Sequence, residues 1–334
     1  MKKIGNISLQ IGDTVDLVLP ASGLPSEMIG KAEAFLNTWG LKARYPKDIL
    51  KPHRIFAQSD EKRFQFLKDA LLNKKSKAVW CLRGGYGSIR LLPSLNEIKK
   101  PDHSKFFIGI SDVTSLHLFL NQKWGWVTYH GSLIDRLANN TLPAPNQNEM
   151  KQILFGLKAE VDFDLVPRNL MAKQMKPIRS QVVGGNLVTI QSTLGTPYEI
   201  KTAKKFLFFE EIGERGYRMD RLLEHLNQAD KFKSCQGLIV GHVIGGEEPG
   251  AEPHLKKPST WDLVFEDWLK KLKIPVFSGM QSGHGPDLRC LPLNSTAELF
   301  KKVELFKKAE LSKKADIKQT LSFQLKARTG VVNK

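Results

Sequence analysis

Short apolar runs alternate with helix-like segments along the first 130 residues of the chain. The runs at residues 13–20, 77–82 and 106–110 have the length and continuous apolar character of buried strands. Charged segments with helical periodicity lie between them, at residues 26–39 and 60–73. Strands separated by helices predict β-α-β units and therefore a parallel sheet.

The pattern fades at residues 136–178, where prolines and an Asn-Asn pair interrupt it, and then returns. We therefore predict a first domain over residues 1–135, a linker region over 136–178 and a second α/β domain over 179–334. The second half has strand-like and helix-like segments in alternation, at residues 182–190, 205–209, 217–229, 237–241, 261–272 and 275–277.

The composition agrees with a protein of ordinary globular type. The chain has 334 residues, 41% of them hydrophobic and 25% charged, which is enough for two domains with a sizeable core. No apolar run approaches the roughly 20 residues needed to cross a bilayer. Polar residues interrupt the first ten positions, so no signal peptide is predicted. A cytoplasmic location is expected, unless an exported form carries a leader ahead of this sequence.

The cysteines and histidines do not suggest a metal site. Cys81, Cys235 and Cys290 are far apart and form no CxxC pair, which favours a reducing compartment. The eight histidines are scattered, and no HExxH motif occurs. We therefore expect no metal and no cofactor.

The net charge of +17 is concentrated partly in a repeat near the C-terminus. Residues 297–314 read AELFKK-VELFKK-AELSKK and place glutamates four residues before lysines, the favourable order on a helix surface. This pattern predicts an exposed helical insert, with a basic docking element as the alternative. Motifs that read nucleic-acid bases are absent, so no nucleic-acid partner is predicted.

Four polar motifs lie at predicted strand ends, where open α/β sheets bind their ligands. Each also has a purely structural interpretation: a tight turn, a helix cap, solvated acids or a turn histidine. The motifs are the turn RGGYG at residues 83–87, Ser111-Asp112, Glu210-Glu211 and the segment GHGP at residues 283–286.

Together these motifs supply the residue types of an acyl-transfer triad, which are a serine, a histidine base and an orienting acid. Backbone N–H groups of Asp112 and of the Gly84-Gly85 turn could hold an oxyanion. An α/β-hydrolase elbow reads G-x-S-x-G; Gly109 fits this pattern, but Val113 stands at the second glycine position. The ordinary α/β-hydrolase fold is therefore disfavoured.

The ordered motifs RGGYG, GISD, LFFEEIGERGYRMDRLLEHL and SGHGPD…LPL resemble the LD-carboxypeptidase family of serine peptidases, also called muramoyltetrapeptide carboxypeptidases. The resemblance extends over about residues 10–296. It implies a Rossmann-like N-terminal domain, a C-terminal domain of different topology and an active site between them. It also implies a homodimer without metal that releases D-alanine from the L-centre–D-Ala bond of murein tetrapeptides.

The resemblance also assigns roles to residues of this chain. It implies Ser111 as nucleophile, Glu210 as the acid that orients the histidine, and His284 as general base. It further implies that the backbone N–H groups of Asp112 and Gly85 are the oxyanion donors. The side chains of Arg83 and Tyr86 would contact the substrate.

This sequence departs from the family pattern in three places. Asp287 stands where an asparagine is expected after the GHG segment, and Asn294 stands where a glycine usually follows LPL. The lysine-rich repeat at residues 297–314 looks like an insertion.

Two other functions stay open at this point. Microcin C immunity peptidases resemble the same family and cleave aminoacyl-nucleotide carboxamides; Trp261 would be the candidate aromatic platform for the base. A non-catalytic murein-binding protein would use the basic C-terminal segment instead.

Overall fold

The computed structural model describes residues 7–245, 260–302 and 323–330. Within these ranges thirteen strands are formed. They are β1 (Thr14–Val18), β2 (Lys42–Arg44), β3 (Ala78–Cys81), β4 (Phe106–Gly109), β5 (Thr128–His130), β6 (Glu160–Pro167), β7 (Ile178–Asn186), β8 (Phe206–Ile212), β9 (Gly237–Ile244), β10 (Val276–Ser278), β11 (Leu291–Leu293), β12 (Thr296–Lys301) and β13 (Phe323–Arg328).

Ten α-helices occur in the same ranges, and several are only one or two turns long. They are α1 (Glu27–Thr38), α2 (Asp60–Leu72), α3 (Leu92–Asn96), α4 (Thr114–Phe119), α5 (Ile134–Ala138), α6 (Ala144–Leu154), α7 (Leu170–Lys173), α8 (Leu187–Gln191), α9 (Gly216–Gln228) and α10 (Thr260–Lys271). Among these helices, none combines the length and the apolar character that a bilayer crossing requires.

The first sheet has the strand order β11-β5-β4-β3-β1-β2. Strands β1 to β5 pair in parallel, and β11 pairs with β5 in the antiparallel direction. Every residue of β3 and β4 is buried, as expected for central strands that are covered by helices on both faces. The edge strand β11 comes from the C-terminal half, so this sheet is completed by residues far along the chain.

The remaining seven strands close into a barrel in the order β10-β6-β13-β12-β7-β8-β9. The apolar run of strand β8 is continuous because both of its faces are covered. Phe206 and Phe208 pack with the barrel strands, whereas Leu207 and Phe209 pack with helices α9 and α10 on the outside. Both faces of β8 are therefore buried, and its polar carboxyl end is the next point of interest.

The predicted fold class is confirmed. The chain is an α/β protein with an N-terminal parallel sheet and a second α/β domain. The helices predicted at 26–39 and 60–73 are present as Glu27–Thr38 and Asp60–Leu72. Closure of the second sheet into a barrel goes beyond what the sequence pattern indicated.

The segment predicted as linker, residues 136–178, contains a full barrel strand, β6. Val161, Phe163 and Leu165 of this strand are buried in alternation. Acidic residues alternate with them and lower the mean hydropathy of the segment, so that it was not recognised as a strand. This part of the linker prediction was therefore wrong, whereas the domain boundaries themselves stay a prediction.

The helical insert predicted over residues 297–314 is wrong for its first repeat. Thr296–Lys301 is strand β12, which pairs with β7 and β13. Ala297 and Leu299 face the core, and Glu298 lies opposite Lys326 on β13. Barrel pairing overrode the helical charge pattern. The rest of the repeat, from residue 303, lies outside the described residues.

Candidate active site

Ser111 lies at a sharp turn between strand β4 and helix α4. Ile110 is still extended, and Ser111 then adopts a φ of 68°, in the left-handed region. This conformation costs a non-glycine residue about 1–3 kcal/mol and is concentrated at functional sites. Among the described residues, no side chain makes a capping hydrogen bond at this turn. The structure therefore does not support the cap interpretation, and it holds the serine in a strained turn of the kind that is concentrated at functional sites.

Gly109 allows the helix to pack closely on the end of β4. A Cβ atom at this position would lie 2.8 Å from Val113 Cγ1, which is closer than van der Waals contact permits. The first glycine of the G-x-S-x-G pattern is thus required sterically, while the second position accepts valine.

Replacing Gly109 by alanine is expected to lower the free energy of unfolding by about 1–3 kcal/mol, because the new methyl group overlaps Val113. Equilibrium urea unfolding measures this loss. Val113→Ala removes the methyl group in question, so the double variant should lose less than the sum of the two single losses. Additive losses would contradict the close contact.

The glycine-rich turn at residues 83–87 packs against the Ser111 turn. A Cβ atom on Gly84 would lie 3.0 Å from Ser111 Cβ, so a side chain at this position would crowd the serine. Gly85 has a φ of 104°, and the neighbouring Tyr86 N–H donates to Ser22 Oγ over 3.1 Å. Within the described residues, the Gly85 N–H donates to no protein group. It therefore remains a candidate oxyanion donor next to Ser111.

The Asp112 side chain fastens the two turns together, a role that sequence reasoning missed. Its carboxylate accepts hydrogen bonds from the N–H groups of Gly87 and Ser88, at 3.2 and 2.8 Å. Ser88 Oγ in turn donates to the Asp112 carbonyl over 2.6 Å. The Asp112 N–H lies in the first turn, where a helix offers no internal acceptor. It is the second candidate oxyanion donor.

Glu210 lies at the carboxyl end of β8, where the pairing with β9 shifts register between Phe209 and Glu211. Such a bulge redirects a side chain and is common next to active sites. The Glu210 side chain is fully buried. Burial alone would raise the pKa of Glu210, but the neighbouring His130 and His284 outweigh it and lower that pKa to about 2. The carboxylate is therefore charged.

His284 is hydrogen bonded to this carboxylate. The distance from His284 Nδ1 to Glu210 Oε2 is 2.6 Å. Because a carboxylate only accepts, Nδ1 carries the proton, and the lone pair of the neutral ring is on Nε2. Burial would lower the pKa of His284, but the Glu210 carboxylate outweighs it and raises that pKa above its ordinary value. The pair is suited to accept a proton at Nε2.

Glu211, the second acid of the predicted pair, has a different environment. Its carboxylate accepts hydrogen bonds from Asn186 Nδ2 and from the N–H groups of Val188 and Ile212, at 2.8 to 2.9 Å. These contacts fasten the start of helix α8 to the end of β8. The two adjacent acids therefore point to different partners, and only Glu210 contacts His284.

Helix α4 brings the serine turn to the barrel. Thr114 Oγ1 accepts the Asn186 N–H over 2.9 Å, and Asn186 is the register partner of Glu210 across β7 and β8. The serine turn thus adjoins the strand pair that carries Glu210, at the interface of the first sheet and the barrel, although within the described residues Ser111 and His284 share no hydrogen bond. Such bonds are often absent without substrate.

Two further histidines join this interface, and sequence reasoning missed both. His130 is fully buried at the end of β5; its Nδ1 lies 3.1 Å from Ser282 Oγ and its Nε2 lies 3.8 Å from Glu210 Oε1. His242 lies on β9 and contacts the segment that carries His284. His242 directly follows the segment predicted at residues 237–241, so the strand-end criterion would have found it.

The remaining predicted residues lie at the margin of the site or away from it. Arg83 is exposed and its Nη1 donates to the Gly23 carbonyl over 3.3 Å. Tyr86 is half exposed, with its ring 5.9 Å from that of Phe56. Trp261 is buried in α10 and stacked on Phe265, so it is unavailable as an exposed platform for a base.

Comparison with protein families places two matches along the chain. Residues 15–131 match the LD-carboxypeptidase N-terminal domain, and residues 179–299 match the LD-carboxypeptidase C-terminal domain. Ser111 lies in the first match, and Glu210 and His284 lie in the second.

Individual proteins show the same similarity. A putative carboxypeptidase of Rickettsia conorii is 37% identical over 274 residues, which cover 81% of this chain and 82% of the relative. A probable murein peptide carboxypeptidase of Bacillus subtilis is 29% identical, covering 87% and 90%. The crystal structure of a muramoyltetrapeptide carboxypeptidase from Oxalobacter formigenes superimposes with a TM-score of 0.76 at 25% identity, covering 96% of this chain and all of that one.

Proposed function

Because the chain belongs to the LD-carboxypeptidase family, and is thereby a serine carboxypeptidase, we propose that it releases the terminal D-alanine from murein tetrapeptides. The names of the Bacillus and Oxalobacter relatives support this substrate class. The net charge of +17 suits anionic muropeptides. We further propose Ser111, Glu210 and His284 as the triad of this reaction.

In the proposed acylation step, Ser111 Oγ attacks the carbonyl carbon that precedes D-alanine, and His284 Nε2 takes the hydroxyl proton. Glu210 stabilises the imidazolium that forms. The oxyanion of the tetrahedral intermediate accepts hydrogen bonds from the backbone N–H groups of Asp112 and Gly85. Collapse of the intermediate breaks the C–N bond, and His284 returns the proton to the amine of the departing D-alanine.

Deacylation reverses these roles. A water molecule gives a proton to His284 Nε2 and attacks the acyl ester on Ser111. The second tetrahedral intermediate collapses, the C–O bond to Ser111 breaks, and the serine oxygen recovers the proton from His284. Murein tripeptide and the regenerated enzyme are the products.

The observation that carries this proposal is the 2.6 Å hydrogen bond between His284 Nδ1 and Glu210 Oε2. This bond fixes the orientation and the tautomer of the His284 ring, so that Nε2 has the lone pair. A histidine with a purely structural role would not require a fully buried, charged partner such as Glu210. The left-handed backbone of Ser111 provides independent support, because strain of this kind is concentrated where geometry serves function.

The proposal is tested by incubating the purified full chain with a mixed muropeptide digest and following the masses. We expect tetrapeptides to lose one alanine, with free D-alanine as the second product, while tripeptides stay unchanged. A synthetic tetrapeptide that ends in L-alanine is the stereochemical control and should remain intact.

Two other results would overturn the proposal. Cleavage of an aminoacyl-nucleotide carboxamide in preference to tetrapeptide would indicate an immunity peptidase. Binding to sacculi without any product, together with no labelling by a serine-directed phosphonate, would indicate a murein-binding protein.

The activity is expected to fall at low pH with a midpoint above the ordinary histidine value of about 6.5. His284 must be neutral to accept the serine proton, and Glu210 raises its pKa. The facing charges are Glu210 and Glu211, which raise this pKa, and Arg136, which opposes them. The pH dependence of kcat/KM measures the midpoint. In Glu210→Gln, residual activity should show a lower midpoint, and an unchanged one would contradict the assignment.

We also propose a homodimer, which the family resemblance implies, and a cytoplasmic location, which the three separated cysteines favour. Sedimentation of the purified chain tests the first, and fractionation of cells that produce it at native level tests the second.

A further inference from the structure

Residues 282–290, termed the histidine loop, lead from the barrel to the edge strand of the first sheet. Two glycines flank the histidine of this loop, and each packs against a different side chain. A Cβ atom on Gly283 would lie 2.7 Å from Glu210 Cβ, and one on Gly285 would lie 2.5 Å from His242 Nδ1. The loop is therefore held closely between Glu210 on one side and His242 on the other.

His242 contacts the histidine loop through three groups. Its backbone N–H donates to the Ser282 carbonyl over 3.0 Å. Its Nδ1 accepts the Gly285 N–H over 3.1 Å, and its Nε2 lies 2.9 Å from Asp287 Oδ1. His242 thus contacts the loop on both sides of His284, through its backbone N–H before this residue and through its imidazole after it.

These contacts determine the protonation of His242. A backbone N–H can only donate, so Nδ1 must present a lone pair to Gly285. Nε2 then carries the proton, and its N–H donates a hydrogen bond to the Asp287 carboxylate. The ring is neutral, with the tautomer opposite to that of His284.

We infer that His242 is a positioning residue whose neutral imidazole, by holding the Gly285 N–H, keeps His284 aligned between Glu210 and Ser111. The inference rests on the proposed function, because it assigns His242 a task only if His284 is the general base. A proton on Nδ1 would place two N–H donors face to face and remove the bond. The catalytic histidine would then lose one of its supports while the triad itself stayed intact.

The surroundings of His242 favour its neutral form. Burial lowers its pKa, and it outweighs the facing carboxylates of Asp287 and Glu210 and the hydrogen bond with the Gly283 backbone, which act in the opposite direction. Protonation of His242 therefore follows that of His284 as the pH falls.

Other contacts hold the loop without His242. Arg136 Nη2 donates to the Gly285 carbonyl over 3.1 Å. Asn146 Nδ2 donates to the carbonyls of Asp287 and Leu288, at 2.9 and 3.2 Å. Loss of the His242 bond should therefore alter the orientation of His284 without releasing the loop from the protein.

A pair of variants isolates the bond. His242→Asn retains an acceptor near the position of Nδ1, and His242→Leu has nearly the same size without an acceptor. Misalignment of a catalytic group by about 1 Å lowers turnover by up to about 100-fold. We expect kcat for D-alanine release to fall about 10- to 100-fold in the leucine variant and about threefold or less in the asparagine variant. KM should change by less than about twofold in both.

The pH profile gives a readout that a merely structural role would not change. In the wild type, the logarithm of kcat/KM should fall with unit slope below the His284 midpoint and steepen to a slope of two at lower pH, where His242 also protonates. His242→Asn cannot titrate and should keep unit slope. Asp287→Asn retains an acceptor for Nε2–H but removes a charge that favours imidazolium, so its steep region should begin at lower pH.

Equal kcat values for the leucine and asparagine variants, or unit slope throughout in the wild type, would overturn the inference. Thermal unfolding of both variants shows whether a loss of kcat reflects unfolding instead. His284→Ala separates the two proposals. If that variant retains activity, the proposed triad fails; if it is inactive while His242→Leu has the kcat of the wild type, only the positioning role fails.

Discussion

Ser111→Ala is expected to lower kcat/KM for D-alanine release by about 10⁴-fold or more, as for other serine nucleophiles that act together with a base. The substitution removes only the atom that would form the acyl-enzyme. It leaves the left-handed backbone, the glycine-rich turn and the Asp112 contacts in place. Tetrapeptide binding should persist, since the oxyanion donors belong to the backbone. A discontinuous assay of released D-alanine under single-turnover conditions measures the loss.

Two controls accompany this variant. Ser192→Ala removes a hydroxyl group that bonds only within its own helix turn, so activity should stay at the wild-type level. Ser111→Gly should be as inactive as Ser111→Ala but more stable by about 1 kcal/mol, because glycine adopts a positive φ without steric cost. Retention of more than a tenth of the activity in either Ser111 variant would exclude this serine as the nucleophile.

Glu210→Gln is expected to lower kcat by about 10⁴-fold, as when the acid of a serine protease triad becomes an amide. The amide has nearly the same shape but no charge, so it cannot stabilise the imidazolium of His284. The His284 Nδ1–H also loses the carboxylate that fixes its tautomer. Steady-state kinetics with saturating tetrapeptide measures kcat, and circular dichroism verifies the fold.

The neighbouring acid supplies the matched control. Glu211→Gln presents an amide to three N–H donors, so it should destabilise the fold by about 1–3 kcal/mol. Its kcat should stay within about tenfold of the wild type. If Glu211→Gln lowered kcat more than Glu210→Gln, the orienting acid would be Glu211, and the geometry of β8 would have been misinterpreted.

Much of the first domain could be predicted from local pattern, because buried parallel strands are short apolar runs and helices separate them. Strand β4 and the turn after it were visible in the sequence FFIGISD. Strand β6 was not visible, since acidic residues alternate with its buried ones. Strand β12 was mistaken for a helix, because the spacing of its lysines and glutamates is compatible with both a helix and a strand. Only its pairing with β7 and β13 decides between the two.

For the candidate site, the sequence predicted which strand ends carry polar groups. The choice between Glu210 and Glu211 depended on the family resemblance, since a bulge that separates two adjacent side chains leaves no mark in the sequence. The Asp112 carboxylate and His242 act through long-range backbone contacts, at separations of 24 to 43 residues. Side-chain to backbone bonds of this kind depend on tertiary geometry, which no local pattern encodes.

The edge strand β11 also has a consequence for the order in which the enzyme is made. Residues Leu291–Leu293 complete a sheet whose other strands are synthesised much earlier. Leu291 pairs with His130, which leaves the ribosome about 160 residues before it. Until Leu291–Leu293 emerge, β5 is an open edge. The histidine loop immediately precedes β11, so it takes its final place only as the sheet closes. If the proposed triad operates, a chain cut short before this point has its serine but not its histidine base, and the unfinished enzyme stays inactive during synthesis.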